Sequence, residues 1–152
     1  MVNVAWVVLM QTSVICNNQG KSVSRGSVLI VEDEHLLGNN LQEYLRRRGW
    51  QAQLARSGEG AVEAFERLRP CVLLMDYELP GMDGFQTLGA LRSRYKWCGC
   101  ILMTAHTGEI VVTQARQHQI SHVLYKPFPL AEMERWLQHE AGRCDCGAHG
   151  AD

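Results

Sequence analysis

The stretch Val72-Leu73-Leu74-Met75-Asp76-Tyr77-Glu78-Leu79-Pro80-Gly81-Met82-Asp83-Gly84 decides the reading of this chain. Four apolar residues run without alternation into one carboxylate, Asp76, and a loop containing Pro80-Gly81 follows at once. A brief unbroken apolar run of this kind predicts a strand buried on both faces, as parallel strands are. Asp76 then stands at the strand's carboxyl end, where open α/β sheets gather their ligands. Aspartate is also a common turn and cap residue, so a lone acid after one strand leaves both readings open. The flanking chain decides between them.

Working outward, the same pattern recurs on both sides. Val28-Leu29-Ile30-Val31 is a second buried run and ends in Glu32-Asp33. Leu37, Leu41, Tyr44 and Leu45 then repeat at helical spacing until Gly49. Residues 51–55 are less apolar and suit the edge of a sheet. Ser57 is a natural N-cap for a helix carrying Ala61, Val62, Phe65 and Leu68, closed by Pro70. Beyond the decisive stretch, Asp83 can cap a helix with Phe85, Leu88 and Leu91 inside. Residues 99–103 form a fourth strand ending at Thr104-Ala105. Thr107 can cap a fourth helix in which only Val111, Val112 and Ala115 are apolar, so burial anchors it weakly. Residues 121–125 form a fifth strand, followed by Lys126-Pro127-Phe128. Pro129 suits the first turn of a last helix, with Leu130, Met133, Trp136 and Leu137 expected to face inward. Five strand-then-helix units predict an α/β fold: a doubly wound, five-stranded parallel sheet.

At 152 residues the chain has room for one domain with a proper core. A net charge of -1 gives no bulk attraction to nucleic acid or to an anionic membrane. The one basic run, Arg46-Arg47-Arg48, falls at a predicted helix end and reads as a solvated terminus complementing the dipole. Six cysteines form no C-x-x-C pair, which suits a reducing compartment. Of these, Cys71, Cys98 and Cys100 are expected to act as small buried hydrophobes. Cys144, Cys146 and His149 offer at most three soft metal ligands, and a frayed terminus is the simpler reading. Residues 1–26 read as a loosely ordered extension; the apolar run at 4–10 is too short to insert in a membrane. No Lys or Arg precedes that run, so a secretory signal is not expected. The folded domain is expected over residues 27–139, with a flexible tail at 140–152. The few residues after Leu137 leave no room for a helix-turn-helix, so direct nucleic-acid binding is not expected.

Each remaining polar group of interest falls just past the end of a predicted strand. Glu32 and Asp33 follow the first strand, Asp76 the third, Thr104 the fourth and Lys126 the fifth. Parallel strands bring those ends to one edge. Three crowded carboxylates repel and would hold protons unless a cation joined them. An all-oxygen donor set suits a hard ion, and Mg²⁺ fits best. A lysine and a hydroxyl opposite such a cluster are natural partners for phosphoryl oxygens. The chemistry available is therefore phosphoryl transfer onto Asp76, since a carboxylate can be a covalent nucleophile.

VLIVEDE at 28–34, MDYELPGMDGF at 75–85, MTA at 103–105 and YKPF at 125–128 resemble the receiver domains of two-component response regulators, in the right order and spacing. The resemblance implies a flavodoxin-like strand order of 2-1-3-4-5. It implies Asp76 as phospho-acceptor, Glu32 and Asp33 as the acidic pair for Mg²⁺, and a metal contact from the Glu78 backbone carbonyl. Thr104 would be the switch hydroxyl, Lys126 the phosphate-binding lysine, and Lys126-Pro127 a cis peptide. The phosphoryl donor would be a histidine kinase or a histidine phosphotransfer protein. A downstream protein target would read the face of helix four, strand five and helix five, with a phosphorylation-dependent homodimer as a further partner. The chain would be cytoplasmic and a signalling phospho-acceptor rather than a turnover enzyme, either stand-alone or the receiver of a hybrid kinase. Two positions depart from the family pattern: the acidic pair is Glu-Asp, and Val123 stands where many members carry an aromatic switch residue. Tyr125 is not an obvious substitute. Glu78 and His106 flank the path of water to the phosphoryl group and are expected to set its lifetime. His118 and His122 lie near the read-out face and read as solvated residues. A haloacid-dehalogenase-type phosphatase and a degenerate receiver acting only as a binding module are the competing readings.

Overall fold

The computed structural model describes residues 25–95, 99–120 and 122–144. Its five strands are β1 (Ser27–Val31), β2 (Gln51–Ala55), β3 (Val72–Asp76), β4 (Gly99–Thr104) and β5 (His122–Tyr125). Five helices alternate with them: α1 (His35–Arg47), α2 (Gly58–Leu68), α3 (Gly84–Arg94), α4 (Glu109–Gln117) and α5 (Leu130–Gly142). All strand pairs are parallel, in the order β2-β1-β3-β4-β5, the flavodoxin-like arrangement expected from the sequence. The alternation of Cβ direction along each strand divides the core in two. Leu29, Val31, Leu73, Met75 and Leu102 face α2, α3 and α4. Val28, Ile30, Val72, Leu74, Ile101 and Met103 face α1 and α5. Every residue of β3 is buried, which explains why its sequence does not alternate, whereas β2 at the edge has an exposed Gln51.

Local signals act where the sequence places them. The Ser57 hydroxyl accepts from the Gly60 N–H at 3.0 Å. Asp83 accepts from the Gln86 N–H at 2.8 Å while Gln86 accepts from the Asp83 N–H at 2.9 Å, a complete capping box. Gly49 closes α1 with φ +91°. Other positions differ from expectation. Thr107 does not cap α4: Gly108 holds the cap position without a side-chain bond, leaving Thr107 one residue too far out. Leu130 is 40% exposed, since α5 turns Met133 and Leu137 to the sheet instead. Cys71 is only half-buried, while Cys100 is buried as expected; Cys144 is disulfide-bonded, against the expectation of free thiols, and Cys98, Cys146 and His149 lie outside the described residues.

The basic run is a solvated helix end at Arg46 and Arg47, both exposed, but not at Arg48. Arg47 pairs with Glu43 on the surface. Arg46 Nε donates to the Ala52 carbonyl at 3.0 Å, and Arg48 pairs with Glu134 of α5, whose side chain is buried. His122 is likewise half-buried, with Trp136 stacked on it at 3.9 Å. Burial lowers its pKa below the ordinary value despite the Glu140 carboxylate nearby. The last helix continues to Gly142, beyond residue 139, because Glu140 points back under the sheet and is buried.

Candidate functional site

The carboxyl ends of β1, β3, β4 and β5 deliver Glu32, Asp76, Thr104 and Lys126 to one edge of the sheet. Glu32, Asp76 and Thr104 are buried. Lys126 Nζ donates to Asp76 Oδ2 at 2.8 Å and to Glu32 Oε2 at 2.9 Å, so one ammonium bridges two carboxylates from different strands. Asp33 completes the group toward solvent: Glu32, Asp33 and Asp76 each bring an oxygen within 4.8 Å of the others. The remaining carboxylate oxygens are held by the backbone. Glu32 Oε1 accepts from the Glu34 N–H at 3.1 Å, and Asp76 Oδ1 from the Glu78 N–H at 3.0 Å.

Electrostatics follow from burial. Desolvation pushes the Glu32 carboxyl up to about 7, with the Asp76 charge adding to it and the Lys126 and Glu34 hydrogen bonds opposing it. Burial alone would lower the Lys126 pKa, but the hydrogen bonds it donates to Asp76 and Glu32 outweigh it and hold the ammonium above its ordinary value. One cation against three carboxylates leaves an acidic oxygen-lined cup, the donor set a hard divalent ion takes.

Thr104 is beside the cup but engaged with its own loop. Its hydroxyl accepts from the His106 N–H at 3.0 Å, and its carbonyl accepts from the Lys126 N–H at 2.8 Å. The Lys126–Pro127 bond is cis, as expected. The Glu78 carboxylate, two residues past Asp76, contacts His106 Nε2. Val123 is in register with Leu102 and packs against the core, whereas Tyr125 is in register with Thr104 and 41% exposed. Position 123 thus carries no aromatic, yet an aromatic neighbours Thr104.

Sequence reasoning overlooked Gly84. A Cβ there would lie 2.8 Å from the Asp76 carbonyl oxygen and 3.2 Å from Tyr77 Cα. The start of α3 therefore presses directly on the backbone of the acid. In the sequence Asp83 signals a helix cap, and close backbone approach at the next residue leaves no mark there.

Comparison with known proteins agrees with this geometry. Residues 28–138 match the model of the response regulator receiver domain. The sensory transduction protein RegX3 of Mycolicibacterium smegmatis is 33% identical over 126 residues, covering 80% of this chain and 55% of that protein. The DNA-binding transcriptional regulator NtrC of Escherichia coli is 31% identical over 121 residues, covering 77% of this chain and 26% of that protein. The chain thus spans about half the length of RegX3 and about a quarter of NtrC. Among solved structures, the signal receiver domain of the putative response regulator NarL from Mycobacterium tuberculosis superposes with TM-score 0.71 at 28% identity, over 79% of this chain and 98% of that one. Among the described residues no helix is long and apolar enough to cross a membrane. An acidic cup at the carboxyl edge of a 2-1-3-4-5 sheet, bridged by the lysine of a cis Lys-Pro bond, and a family match over residues 28–138 lead to one statement: this chain belongs to the response regulator receiver domain family.

Proposed function

We propose that this chain accepts a phosphoryl group on Asp76 from a histidine kinase or a histidine phosphotransfer protein and thereby switches a protein-interaction surface. The observation that carries the reading is the single Lys126 ammonium shared between Asp76 and Glu32. A phosphoryl group joined to Asp76 brings its own anionic oxygens within reach of that ammonium. In the transfer, a carboxylate oxygen of Asp76 attacks phosphorus and the phosphorus–nitrogen bond of the donor histidine breaks. The imidazole leaves with the bonding pair and takes up a proton, and an acyl phosphate remains. The Glu78 N–H holds one carboxylate oxygen still, and Lys126 meets developing charge on the phosphoryl oxygens. Glu32, Asp33 and Asp76, with the Glu78 carbonyl, would hold Mg²⁺; the crowding that raises the Glu32 pKa is what such an ion relieves. When bound, the ion supplies the charge neutralisation that lets an anionic phosphoryl group approach a carboxylate.

Output follows from the same edge. The Thr104 hydroxyl, now bonded to the His106 N–H, and Lys126 turn toward the phosphoryl oxygens, and the loop before α4 moves with them. The helix is free to respond, because it buries only Val111 and Ala115 and leaves Ile110 73% exposed. Ile110, Tyr125 and Leu130 give the α4-β5-α5 face its exposed apolar surface for a downstream protein or a second copy of this chain. Residues 27–139, lengthened by the last turn of α5, are the receiver unit; residues 1–26 and the tail flank it. The chain works stoichiometrically, in the cytoplasm. The Glu78–His106 contact sets the lifetime of the acyl phosphate by controlling how water reaches it.

Intact-mass spectrometry after incubation with acetyl phosphate and Mg²⁺ tests the reading. Wild type gains the mass of one phosphoryl group and Asp76→Asn gains none. Failure of wild type to gain it from acetyl phosphate or a phosphorylated kinase would reduce the chain to a binding module, and repeated turnover of a phosphomonoester would make it a phosphatase. Hydrolysis rates unchanged in both Glu78→Gln and His106→Ala would dispose of the lifetime assignment alone.

A further inference from the structure

We propose that His122, His139 and Glu140 form a transition-metal site of the zinc class, at the edge of the sheet opposite the acidic cup. His122 opens β5, whereas Lys126 follows its end, so the two sites stand roughly 13 Å apart along the strand. His139 and Glu140 lie in the last turns of α5, and an ion held by all three would tie that helix to β5.

Three observations carry the assignment. The donors are two imidazoles and a carboxylate, each offering a ligand atom within 4.8 Å of the others. Such a set suits zinc and its neighbours rather than Mg²⁺. Spacing agrees: two ligands about 2.0–2.1 Å from a tetrahedral Zn²⁺ stand about 3.4 Å from each other. Here His122 Nε2 is 3.1 Å and His139 Nδ1 3.5 Å from the same atom, Glu140 Oε1. His122 Nε2 is buried and faces that oxygen without hydrogen-bond geometry.

The surroundings are built to hold the ligands still. Trp136 stacks on the His122 ring at 3.9 Å and 23°, and the His139 ring stands edge-on to it at 84°. The Glu140 side chain is 1% exposed, and its Oε2 lies where a Cβ on Gly99 would come within 2.5 Å, so only glycine at that position admits the carboxylate. Packing that fixes a ligand's orientation is the usual support of a metal site. His139 is 54% exposed and leaves the fourth coordination position to solvent. The Arg143 guanidinium competes with the ion: it lies 3.6 Å from Glu140 Oε1, on a side chain that is 60% exposed. It must swing away when the ion binds.

The test uses the full chain, stripped with chelator and then saturated with Mg²⁺ so that the acidic cup is occupied. Zn²⁺ is titrated by calorimetry and Co²⁺ by its visible absorption. One equivalent binds, and Co²⁺ gives the intense bands of a tetrahedral site. His139→Gln, an exposed change that leaves the circular dichroism unaltered, weakens binding by at least about tenfold. Arg143→Ala tightens it. A Cys144→Ser, Cys146→Ser, His149→Gln variant retains it. The proposal is overturned if the Mg²⁺-loaded chain takes up no Zn²⁺. It is equally overturned if His139→Gln binds as wild type does, or if the tail variant loses the equivalent, which would assign the ion to the tail. Asp76→Asn leaves the binding unchanged, so failure here is separable from failure of the phospho-acceptor reading.

Discussion

Lys126 bridges Asp76 and Glu32, the second of which burial drives toward the protonated form, and Gly84 lets the loop beyond them close. These residues work by contact, so their replacement has local, measurable effects. Gly84→Ala places a methyl 2.8 Å from the Asp76 carbonyl oxygen, against backbone that cannot step aside. It is expected to destabilise the fold by about 1–3 kcal/mol and to slow phosphoryl uptake by Asp76. Urea denaturation and the mass assay read these two effects separately. Tyr44 gives a pH-dependent case. Burial first, and then the Glu134 carboxylate that accepts from its hydroxyl at 3.2 Å, raise the Tyr44 pKa above the ordinary 10.0. The folded state therefore holds this proton more tightly than the unfolded chain does. The resulting stability is complete below pH 10 and is lost as pH rises through the folded value. Urea midpoints measured above pH 10 should fall more steeply for wild type than for Tyr44→Phe.

Individual elements differ in how firmly burial holds them. β3 reads as a run because both its faces are covered, and α2 and α3 start where Ser57 and Asp83 say they should. The weak apolar content of α4 is equally plain in the sequence, and the fold leaves Ile110 outside while burying Val111 and Ala115. Hydrogen exchange should therefore be fastest in α4 among the five helices, since few buried contacts oppose its opening. Leu137→Ala in α5 empties a fully buried position and should cost about 2–5 kcal/mol. Ile110→Ser, by contrast, should stay within about 0.5 kcal/mol. Similar losses for the two variants in chemical denaturation would contradict this ranking of the helices.

Across the whole molecule, a buried polar group ties distant parts of the chain together. Glu134 on α5 receives Arg48 from the end of α1, Arg25 from before β1 at 3.4 Å, and the Tyr44 hydroxyl. These contacts bind the start of the described chain and the first helix to the last. Arg48→Ala removes the closest partner of a carboxylate that is only 4% exposed, and is expected to cost about 1–3 kcal/mol. Arg47→Ala, next door, removes a surface pair and should cost about 0.5 kcal/mol or less. Thermal denaturation of the two variants side by side measures the contrast.

The sequence by itself determined the five strand–helix units, the unalternating core strands and the residues that gather at one sheet edge. Each of these depends on local periodicity or on the direction of parallel strands, both written along the chain. Only the tertiary structure decided that Lys126 spans Asp76 and Glu32, that Arg48 is a buried-pair residue rather than a solvated one, and that Leu130 faces out. It alone showed Gly84 against Asp76 and brought His122 to His139 and Glu140. Such contacts depend on the rotation and crossing of helices packed far from one another in sequence, and no window along the chain contains both partners.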